Sequence, residues 1–389
     1  MSPGDAAFLN ASFGHGFEYD DAHRSSSSHP GCCVVPVSLA IGEEADASMG
    51  DVLLGLVAGY EVYTRIGMIA APQLLERGFH PHAMLANFGA AAVVAKMRGF
   101  DLATTMHALA IAMSHCSGTT EYSSSGGSVK RVHSGIGALN GIRAAELAQA
   151  GITGPAHFLT GKKGYFRTFL QKEVTLEHER LFAPEAAFQI EKVWIKPHCC
   201  CGCNHAYIDA ARQLAPRVAE IERVVLGIQA GANVVVGNSN EHAFAPTLIE
   251  HLQYSLRAQF ALALLGRGKG FETHQDFMAG RLDLGAGSEV LELIRRITIV
   301  PRPELDTAYP GQWVGEATAT FKDGTSRTIF VEDSLGTAEN PVQEADRDAK
   351  FRDLTRRTMG ERRSERLLHA LGSFADGLPA SELTALLAS

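Results

Sequence analysis

The sequence predicts a mainly α protein with a large helical domain over residues 1–187 and a smaller α+β domain over residues 188–338. The remaining segment, 339–389, is charged and helical in pattern, and we expect it to return to the helical domain. Two observations support this division: apolar helical patterns fill the first half, and alternating β-branched segments fill the second. Single domains seldom exceed about 250–300 residues, so a chain of 389 residues is expected to divide.

Helical periodicity runs through the first half in segments rich in alanine and glycine. Their apolar residues recur every three or four positions, as expected of helices. Gly99 suits the end of one helix and Asp101 suits the start of the next. Because these segments are nearly apolar on all sides, they are expected to be buried within a helical domain. The predicted helices cover residues 50–70, 82–100, 101–115 and 135–151.

Strand patterns mark the second domain. Alternating and β-branched residues predict strands there, and Lys322-Asp323-Gly324 between two alternating runs predicts a hairpin. Helical segments lie between the strands, so an α+β architecture follows. The predicted strands are 189–197, 222–236, 294–301 and the hairpin 313–333, and the predicted helices are 204–215 and 248–265.

The composition argues against several classes of partner. With a net charge of −8, the chain is poorly suited to bind nucleic acid or an anionic membrane surface. It lacks an apolar run of about 18 residues and a signal-peptide pattern, so no membrane association is expected. The seven cysteines are mostly adjacent and do not resemble a disulfide framework, which favours a cytoplasmic protein.

The stretch "FEYDDAHRSSSSHPG" at residues 17–31 collects carboxylates and imidazoles. Glu18, Asp20, Asp21, His23 and His29 lie within it, and such neighbours tune one another for proton transfer. The same residue types can bind a metal, and a solvated acidic turn is the plain alternative. The proline after His29 favours a fixed conformation at the start of the following helix.

Two further stretches carry histidine or positive charge at helix starts. His80 precedes Pro81 in "RGFHPHAM", where the positive end of a helix dipole disfavours an imidazolium. Lys130, Arg131 and His133 in "SVKRVHSG" precede the predicted helix 135–151. Cations beside free helix N–H groups suit the binding of carboxylates. A polar cap and a surface basic patch are the respective alternatives.

The stretch "KPHCCCGCNHAYIDA" at residues 196–210 is rich in cysteine. Structural zinc usually takes two pairs of ligands, but only Cys200 and Cys203 form a CxxC pair here. A zinc site in the segment from Cys199 to His205 stays open as an alternative. Otherwise the cysteines are expected to pack as small, soft side chains, with a lowered thiol pKa as a further possibility.

Taken in order, these motifs resemble the MmgE/PrpD family, whose members include dehydratases, decarboxylases and epimerases of small carboxylates. The resemblance rests on residues 11–31, 77–101, 108–122, 130–155, 161–169 and 196–211. It implies an all-helical domain with a smaller α+β lid domain, and an active site between them. It also implies a homodimer and no obligatory metal or organic cofactor. Family members usually carry further helices before the point that corresponds to Met1.

Site residues carry over from the family one at a time. The resemblance assigns active-site positions to the imidazoles of His29, His80 and His205, and to Lys130 with His133 beside it. Glu18 stands where the decarboxylase branch has an aspartate. Ala22 replaces a threonine of that branch, and Ala258 lies near the position of a tyrosine.

The sequence therefore predicts a lyase, a dehydratase or decarboxylase, that acts on a small di- or tricarboxylate without a cofactor. We expect Lys130, Arg131, His133 and Asp21 to bind substrate, and a histidine to exchange the proton next to a carboxylate. The catalytic candidates are Glu18, Asp20, His29, His80, Lys130 and His205. An epimerase or isomerase on the same scaffold is the first alternative, and a non-catalytic protein that binds carboxylate or zinc is the second.

Overall fold

A computed structural model describes residues 1–122, 127–171, 173, 176–183, 185–238, 242, 244–268, 270–372 and 377–387. The chain forms two compact units. Unit 1 comprises residues 1–16, 20–193 and 355–389, and unit 2 comprises residues 17–19 and 194–354. The predicted mainly α fold is confirmed, since helices dominate and strands are confined to small sheets.

The helices are α1 Pro3–His15, α2 Gly31–Glu44, α3 Met49–Glu76, α4 Pro81–Met97, α5 Leu102–Met113, α6 Lys130–Gln149, α7 Leu176–Glu179, α8 His205–Leu214, α9 Ala230–Val236, α10 Ile249–Gln253, α11 Leu256–Leu264, α12 Glu272–Met278, α13 Glu289–Arg295, α14 Glu344–Met359, α15 Glu361–Gly372 and α16 Ala380–Leu387. The strands are β1 Asp21–Ala22, β2 Trp194–Ile195, β3 Ile221–Ile228, β4 Ile297–Pro301, β5 Gly315–Phe321 and β6 Ser326–Val331.

Helix α4 is the centre of unit 1. Every residue from Pro81 to Ala95 is buried, and the helix packs against α3 and α6. The α4–α6 crossing is close because glycine faces alanine: a Cβ on Gly137 would lie 2.4 Å from the Cβ of Ala86. A Cβ on Gly141 would lie equally close to the Cβ of Ala90. Small side chains therefore set the spacing of the two helices.

Helix boundaries in unit 1 follow local sequence signals. The Asp101 side chain accepts a hydrogen bond from the backbone N–H of Thr104, which confirms the predicted N-cap. Gly99 follows α4 with φ of 65°, a left-handed conformation that glycine adopts without steric cost.

By length and mean hydropathy alone, α3 is apolar enough to cross a membrane, although no such helix was expected from the sequence. Half of that stretch is buried inside the structure, and Tyr63 and Ile66 lie in the core. A core helix of a soluble protein meets the same criterion.

Unit 2 contains a four-stranded mixed sheet in the order β4-β3-β5-β6. Strand β3 pairs with β4 in parallel and with β5 antiparallel, with Val224 opposite Ile297 and Leu226 opposite Ala317. Strands β5 and β6 form the predicted hairpin, which turns at Gly324 with φ of 81°. Helix α8 packs on β5, and the wholly buried α11 packs on α8.

Four local predictions were wrong. The helix predicted at 248–265 is divided into α10 and α11 at Tyr254 and Ser255. Residues 189–192 form a 3₁₀ turn, so only Trp194–Ile195 of the segment 189–197 forms a strand. The strand predicted at 222–236 ends at Ile228, and the Ala-Gly-Ala start of α9 turns the rest into a helix. Helix α6 begins at Lys130 and not at Gly135, because the Ser128 and Val129 carbonyls already accept turn hydrogen bonds from Arg131 and Val132.

Candidate active site

Two histidines at the starts of α4 and α6 form a direct pair in unit 1. His80 occupies the N-cap position of α4, where the ring of Pro81 favours the helical start. Its side chain makes no capping hydrogen bond, and its Nδ1 lies 2.8 Å from the Nδ1 of His133. Both residues are 6% exposed. The close α4–α6 crossing thus brings together two imidazoles that the sequence separates widely.

This contact constrains where the protons lie. One Nδ1 must donate and the other must accept, because a hydrogen bond needs a single proton between them. When both rings are neutral, the donor ring keeps its lone pair on Nε2 and the acceptor ring keeps its proton there. The His80–His133 pair can therefore present one base and one acid within a single hydrogen-bonded unit.

The environment holds these imidazoles in their neutral form. Burial lowers the pKa of His80 well below its ordinary value, and the neighbouring His82 and His133 lower it further. Burial also lowers the pKa of His133, with a further contribution from the charge of Lys130. The two rings are therefore neutral near pH 7 and able to accept a proton.

Lys130 and Arg131 occupy the first turn of α6, with His133 on the next turn. The charge of Lys130 helps to lower the pKa of both His15 and His133, so it acts on the imidazole cluster directly. A cation at the N-terminal end of a helix adds to the pull of the backbone N–H groups on an anion. Residues 123–126, in the serine-rich loop before this helix, lie outside the described residues.

A second imidazole group surrounds Asp20. The His15 Nδ1 lies 2.7 Å from the Asp20 carboxylate, and the His29 Nδ1 lies 3.4 Å from the same oxygen. The His29 Nδ1 also donates to the Asp21 carbonyl at 2.9 Å. A carbonyl oxygen can only accept, so Nδ1 of His29 carries the proton and a neutral ring keeps its lone pair on Nε2. His29 is thereby oriented as a base.

The two groups adjoin within unit 1. The ring centroids of His15 and His29 lie 5.2 Å apart, and those of His15 and His80 lie 6.1 Å apart. His82 completes the cluster, 5.7 Å from His80 and 4.6 Å from His15. The structure thus brings Asp20, His29, His80, Lys130 and His133 into one region, as a shared site requires.

Asp21 anchors the start of α2. Its carboxylate accepts the Gly31 backbone N–H at 2.9 Å and the Tyr60 hydroxyl at 2.6 Å. Burial raises the pKa of this carboxyl, while the Tyr60 hydrogen bond opposes that rise. These contacts fix the segment that carries Asp20 and His29, and a role in substrate binding stays a prediction.

Glu18 belongs to unit 2, where it forms a buried ion pair. Its carboxylate lies 3.4 Å from the Lys196 Nζ and accepts the Tyr254 hydroxyl at 3.1 Å. Lys196 has no exposed surface, and Glu18 holds a left-handed backbone with φ of 55°. Strained backbone of this kind recurs at functional sites, where surrounding contacts hold it in place.

His205 also belongs to unit 2, at the first residue of α8. It is fully buried, with its ring 4.7 Å from Trp194 and 4.9 Å from His198, and its Nε2 lies 3.4 Å from the Cys200 carbonyl. Burial lowers the pKa of His205, and the positive charge of Lys196 adds to this effect. A neutral imidazole follows, and its catalytic role stays a prediction.

The cysteine run packs in the core of unit 2. Cys199 and Cys200 are fully buried, and the Cys199 thiol donates to the Phe17 carbonyl at 2.9 Å. Burial raises the pKa of Cys200, and a hydrogen bond with Cys201 together with burial raises that of Cys203. The lowered pKa considered for these thiols was therefore wrong for both residues, because an apolar core disfavours a thiolate.

Compact groups of metal-ligating side chains occur only in unit 1 within the described part of the chain. One comprises His15, Cys32 and His82, and the other comprises His15, Asp20 and His29. In each group, one ligand atom from every residue lies within 4.8 Å of the others. The segment from Cys199 to His205 forms no such group among the described residues.

Sequence reasoning missed four residues of these clusters: His15, His82, Lys196 and Tyr254. His15 and His82 each lie two or three positions from a residue already singled out, so proximity to Glu18 and His80 was the available signal. Lys196 is the first residue of the cysteine-rich stretch, and no neighbouring residue in the sequence indicates that its side chain is buried. Tyr254 carries no local signal, since only the fold of unit 2 brings it to Glu18.

Comparison with known proteins places the chain among its relatives. The MmgE/PrpD N-terminal domain matches residues 1–177 and the MmgE/PrpD C-terminal domain matches residues 198–372. A cis-aconitate decarboxylase of Aspergillus terreus (strain NIH 2624 / FGSC A1156) is 27% identical over 412 residues, covering 98% of this chain and 81% of the relative. The cis-aconitate decarboxylase of Homo sapiens is 25% identical over 403 residues, covering 100% and 80%. The chain belongs to the MmgE/PrpD family.

Proposed function

We propose that this protein is a lyase, a dehydratase or a decarboxylase, acting on a small di- or tricarboxylate by proton transfer next to a carboxylate. The observation that carries the proposal is the His80–His133 pair, with its 2.8 Å contact between Nδ1 atoms and its buried, neutral rings. The pair holds a proton acceptor and a proton donor beside a lysine at a helix N-terminus. The names of the relatives, which act on cis-aconitate, agree with a carboxylate substrate.

In a dehydration, an imidazole Nε2 of His29 or of the His80–His133 pair removes the proton on the carbon next to a carboxylate. The C–H electron pair then forms an enolate, whose negative charge Lys130 and the α6 N–H groups stabilise. A protonated group delivers its proton to the leaving hydroxyl, the C–O bond breaks, and water departs. In a decarboxylation the C–C bond to a carboxylate breaks instead, carbon dioxide leaves, and the acid protonates the carbon.

Each predicted residue has a proposed part in this scheme. Lys130, Arg131 and Asp21 bind the substrate, and Asp20 orients His29 through the contact at 3.4 Å. Glu18 and His205, both in unit 2, are retained as proposed proton-transfer residues. Glu18 contributes a buried carboxyl group beside Lys196 and Tyr254, and His205 contributes a buried imidazole, and both are groups that can exchange a proton.

An epimerase on the same scaffold is the second candidate. It needs two proton-handling groups that can act on opposite faces of one carbon. The presence of two separate imidazole groups, one around Asp20 and one formed by His80 and His133, favours it. The distinction lies in the product, because epimerisation exchanges a proton without loss of water or carbon dioxide.

The test is a panel of cis-aconitate, 2-methylcitrate, citrate and iminodisuccinate, followed by proton NMR in deuterated water. A lyase converts at least one of them with loss of water or carbon dioxide. A decarboxylase places deuterium in the product, whereas a dehydratase forms an alkene and adds no deuterium at the carbon that loses its proton. An epimerase instead places deuterium in recovered substrate with no loss of either. Saturable binding of a panel member, with no product and no exchange from any of the four, would contradict both and indicate a non-catalytic carboxylate-binding protein.

A further inference from the structure

Three side chains from different helices of unit 1 converge on a buried point that the proposed reaction does not require. His15 ends α1, Cys32 lies in the first turn of α2, and His82 lies in the first turn of α4. They are 1%, 6% and 0% exposed, respectively. One ligand atom of each lies within 4.8 Å of the other two, and the His82 Nε2 is 3.6 Å from the Cys32 Sγ.

Each of the two imidazoles contacts a neighbouring polar group through its Nδ1. The His15 Nδ1 lies 2.7 Å from the Asp20 carboxylate, and the His82 Nδ1 lies 2.7 Å from the Tyr63 hydroxyl. Metal-binding histidines commonly bond their second nitrogen to a carboxylate or another polar group, which fixes the tautomer and the ring orientation. The His82 Nε2 faces the Cys32 Sγ at 3.6 Å, and the Nε2 of His15 is the nitrogen that the Asp20 contact leaves available.

The His15 Nε2 is the second and independent sign of a ligand. It is fully buried and has no hydrogen-bond partner among the described residues. A buried polar atom without a partner is costly, and native proteins rarely retain one without a functional reason. An electron-pair acceptor such as a metal ion would satisfy it, since the proton of the neutral ring lies on the opposite nitrogen.

We propose that His15 Nε2, His82 Nε2 and Cys32 Sγ bind a zinc ion. Nitrogen and thiolate sulfur are the ligands that Zn²⁺ prefers, and three protein ligands leave one tetrahedral position for water or another small ligand. Binding transfers the thiol proton of Cys32 to solvent, so the bond formed is Zn–S and the bond broken is S–H. The thiolate and the Asp20 carboxylate together offset the charge of the ion. This site departs from the metal-free protein that the family resemblance implies.

The Cys32 thiol donates a hydrogen bond to the His29 carbonyl at 3.1 Å, and zinc binding would replace this S–H bond by a Zn–S bond. The Ser134 hydroxyl donates to the Cys32 Sγ at 3.5 Å, so a donor already points at the sulfur. The adjacent Cys33 is equally buried but lies outside the cluster, where its thiol donates to the Ala86 carbonyl at 3.5 Å. Cys33 is therefore a matched control for Cys32 in burial, helix and chemistry.

The test uses the full chain, stripped of metal with a chelator and then titrated with Zn²⁺ against a chromophoric competitor. We expect about one zinc ion per chain. Replacement by Co²⁺ should give a near-ultraviolet thiolate-to-cobalt charge-transfer band. Cys32→Ser should abolish that band, and Cys32→Ser or His82→Asn should weaken zinc binding by more than about 100-fold. Cys33→Ser should preserve both the band and the affinity.

Two results would overturn the proposal. The first is a wild-type protein that binds no stoichiometric zinc and shows no charge-transfer band with Co²⁺. The second is a band that survives in folded Cys32→Ser protein, which would place the thiolate elsewhere, such as in the segment from Cys199 to Cys203. Circular dichroism establishes that each variant is folded, and His82→Asn provides the test if Cys32→Ser does not fold. None of these readouts depends on knowing the substrate.

Discussion

Replacement of Gly137 by alanine tests whether the α4–α6 crossing sets the geometry of the proposed site. The new methyl carbon would lie 2.4 Å from the Cβ of Ala86, whereas carbon atoms in contact normally lie about 3.5–4.0 Å apart. Helix α6 must therefore move by about 1 Å, because neither the Ala86 Cβ nor its backbone can turn aside. That movement would lengthen the 2.8 Å His80–His133 contact beyond the usual limit of about 3.2 Å.

The expected loss of activity is large and the loss of stability is small. A misplacement of about 1 Å can lower kcat/KM by about 100-fold. Overpacking costs about 1–3 kcal/mol, but alanine gains about 1 kcal/mol over glycine in a helix, so the free energy of unfolding should fall by only about 1 kcal/mol. Turnover of the substrate found by the carboxylate panel and urea denaturation measure the two quantities.

The control is Gly231→Ala in α9. A Cβ at that position meets nothing within 4 Å, so activity should stay at the wild-type level and stability should be unchanged or slightly higher. If Gly137→Ala retained full kcat/KM, the α4–α6 spacing would not determine the site, and the role given to the His80–His133 pair would be wrong.

Three further predictions concern the charge of Lys130, the loss of stability in acid and the hydrogen bond that anchors Asp21. Lys130→Ala should lower kcat by about 100-fold, because the enolate loses its stabilising charge. The control is Lys162→Ala at an exposed position, which should leave kcat unchanged. Equal kcat values for the two variants in steady-state assays would refute the role given to Lys130. Burial lowers the pKa of His23 to about 4. His23 therefore takes up a proton near pH 6.5 in the unfolded chain but only near pH 4 in the folded chain. Stability should thus be lost as pH falls from about 6.5 to about 4, by about 3 kcal/mol, and urea denaturation of His23→Gln should show a shallower pH dependence. Tyr60→Phe removes one of two donors to the buried Asp21 and should cost about 1–3 kcal/mol, so a thermal midpoint equal to that of wild type would contradict the anchoring role.

Local signals were enough to predict much of the fold. Asp101, Gly99 and the Asp-Gly turn of the β5–β6 hairpin each act within a few residues, and the structure confirms all three. The strands predicted from alternating residues at 189–197 and at 230–236 were wrong, because a short alternating run fits a 3₁₀ turn or a helix equally well. Burial then decides between them, and burial depends on distant parts of the chain.

The candidate site was predictable in its residues but not in its contacts. His80 could be placed at a helix start because Pro81 follows it, and the structure confirms this position. Its bond to His133 arises from the α4–α6 crossing, which glycine and alanine packing determines and no local spacing reveals. The raised pKa of Cys200 likewise reflects burial, which a run of cysteines does not encode by itself.

The central claim is that the His80–His133 pair transfers a proton next to a substrate carboxylate. Its most direct test is the rate of proton transfer at that carbon in deuterated water, measured by proton NMR for wild type and for His80→Asn. The signal is deuterium entry in a decarboxylation and loss of the C–H proton in a dehydration, and circular dichroism is the check on folding. The account predicts that wild type transfers this proton in step with turnover and that His80→Asn does so at least about 100-fold more slowly. Proton transfer at the wild-type rate by folded His80→Asn protein would contradict it.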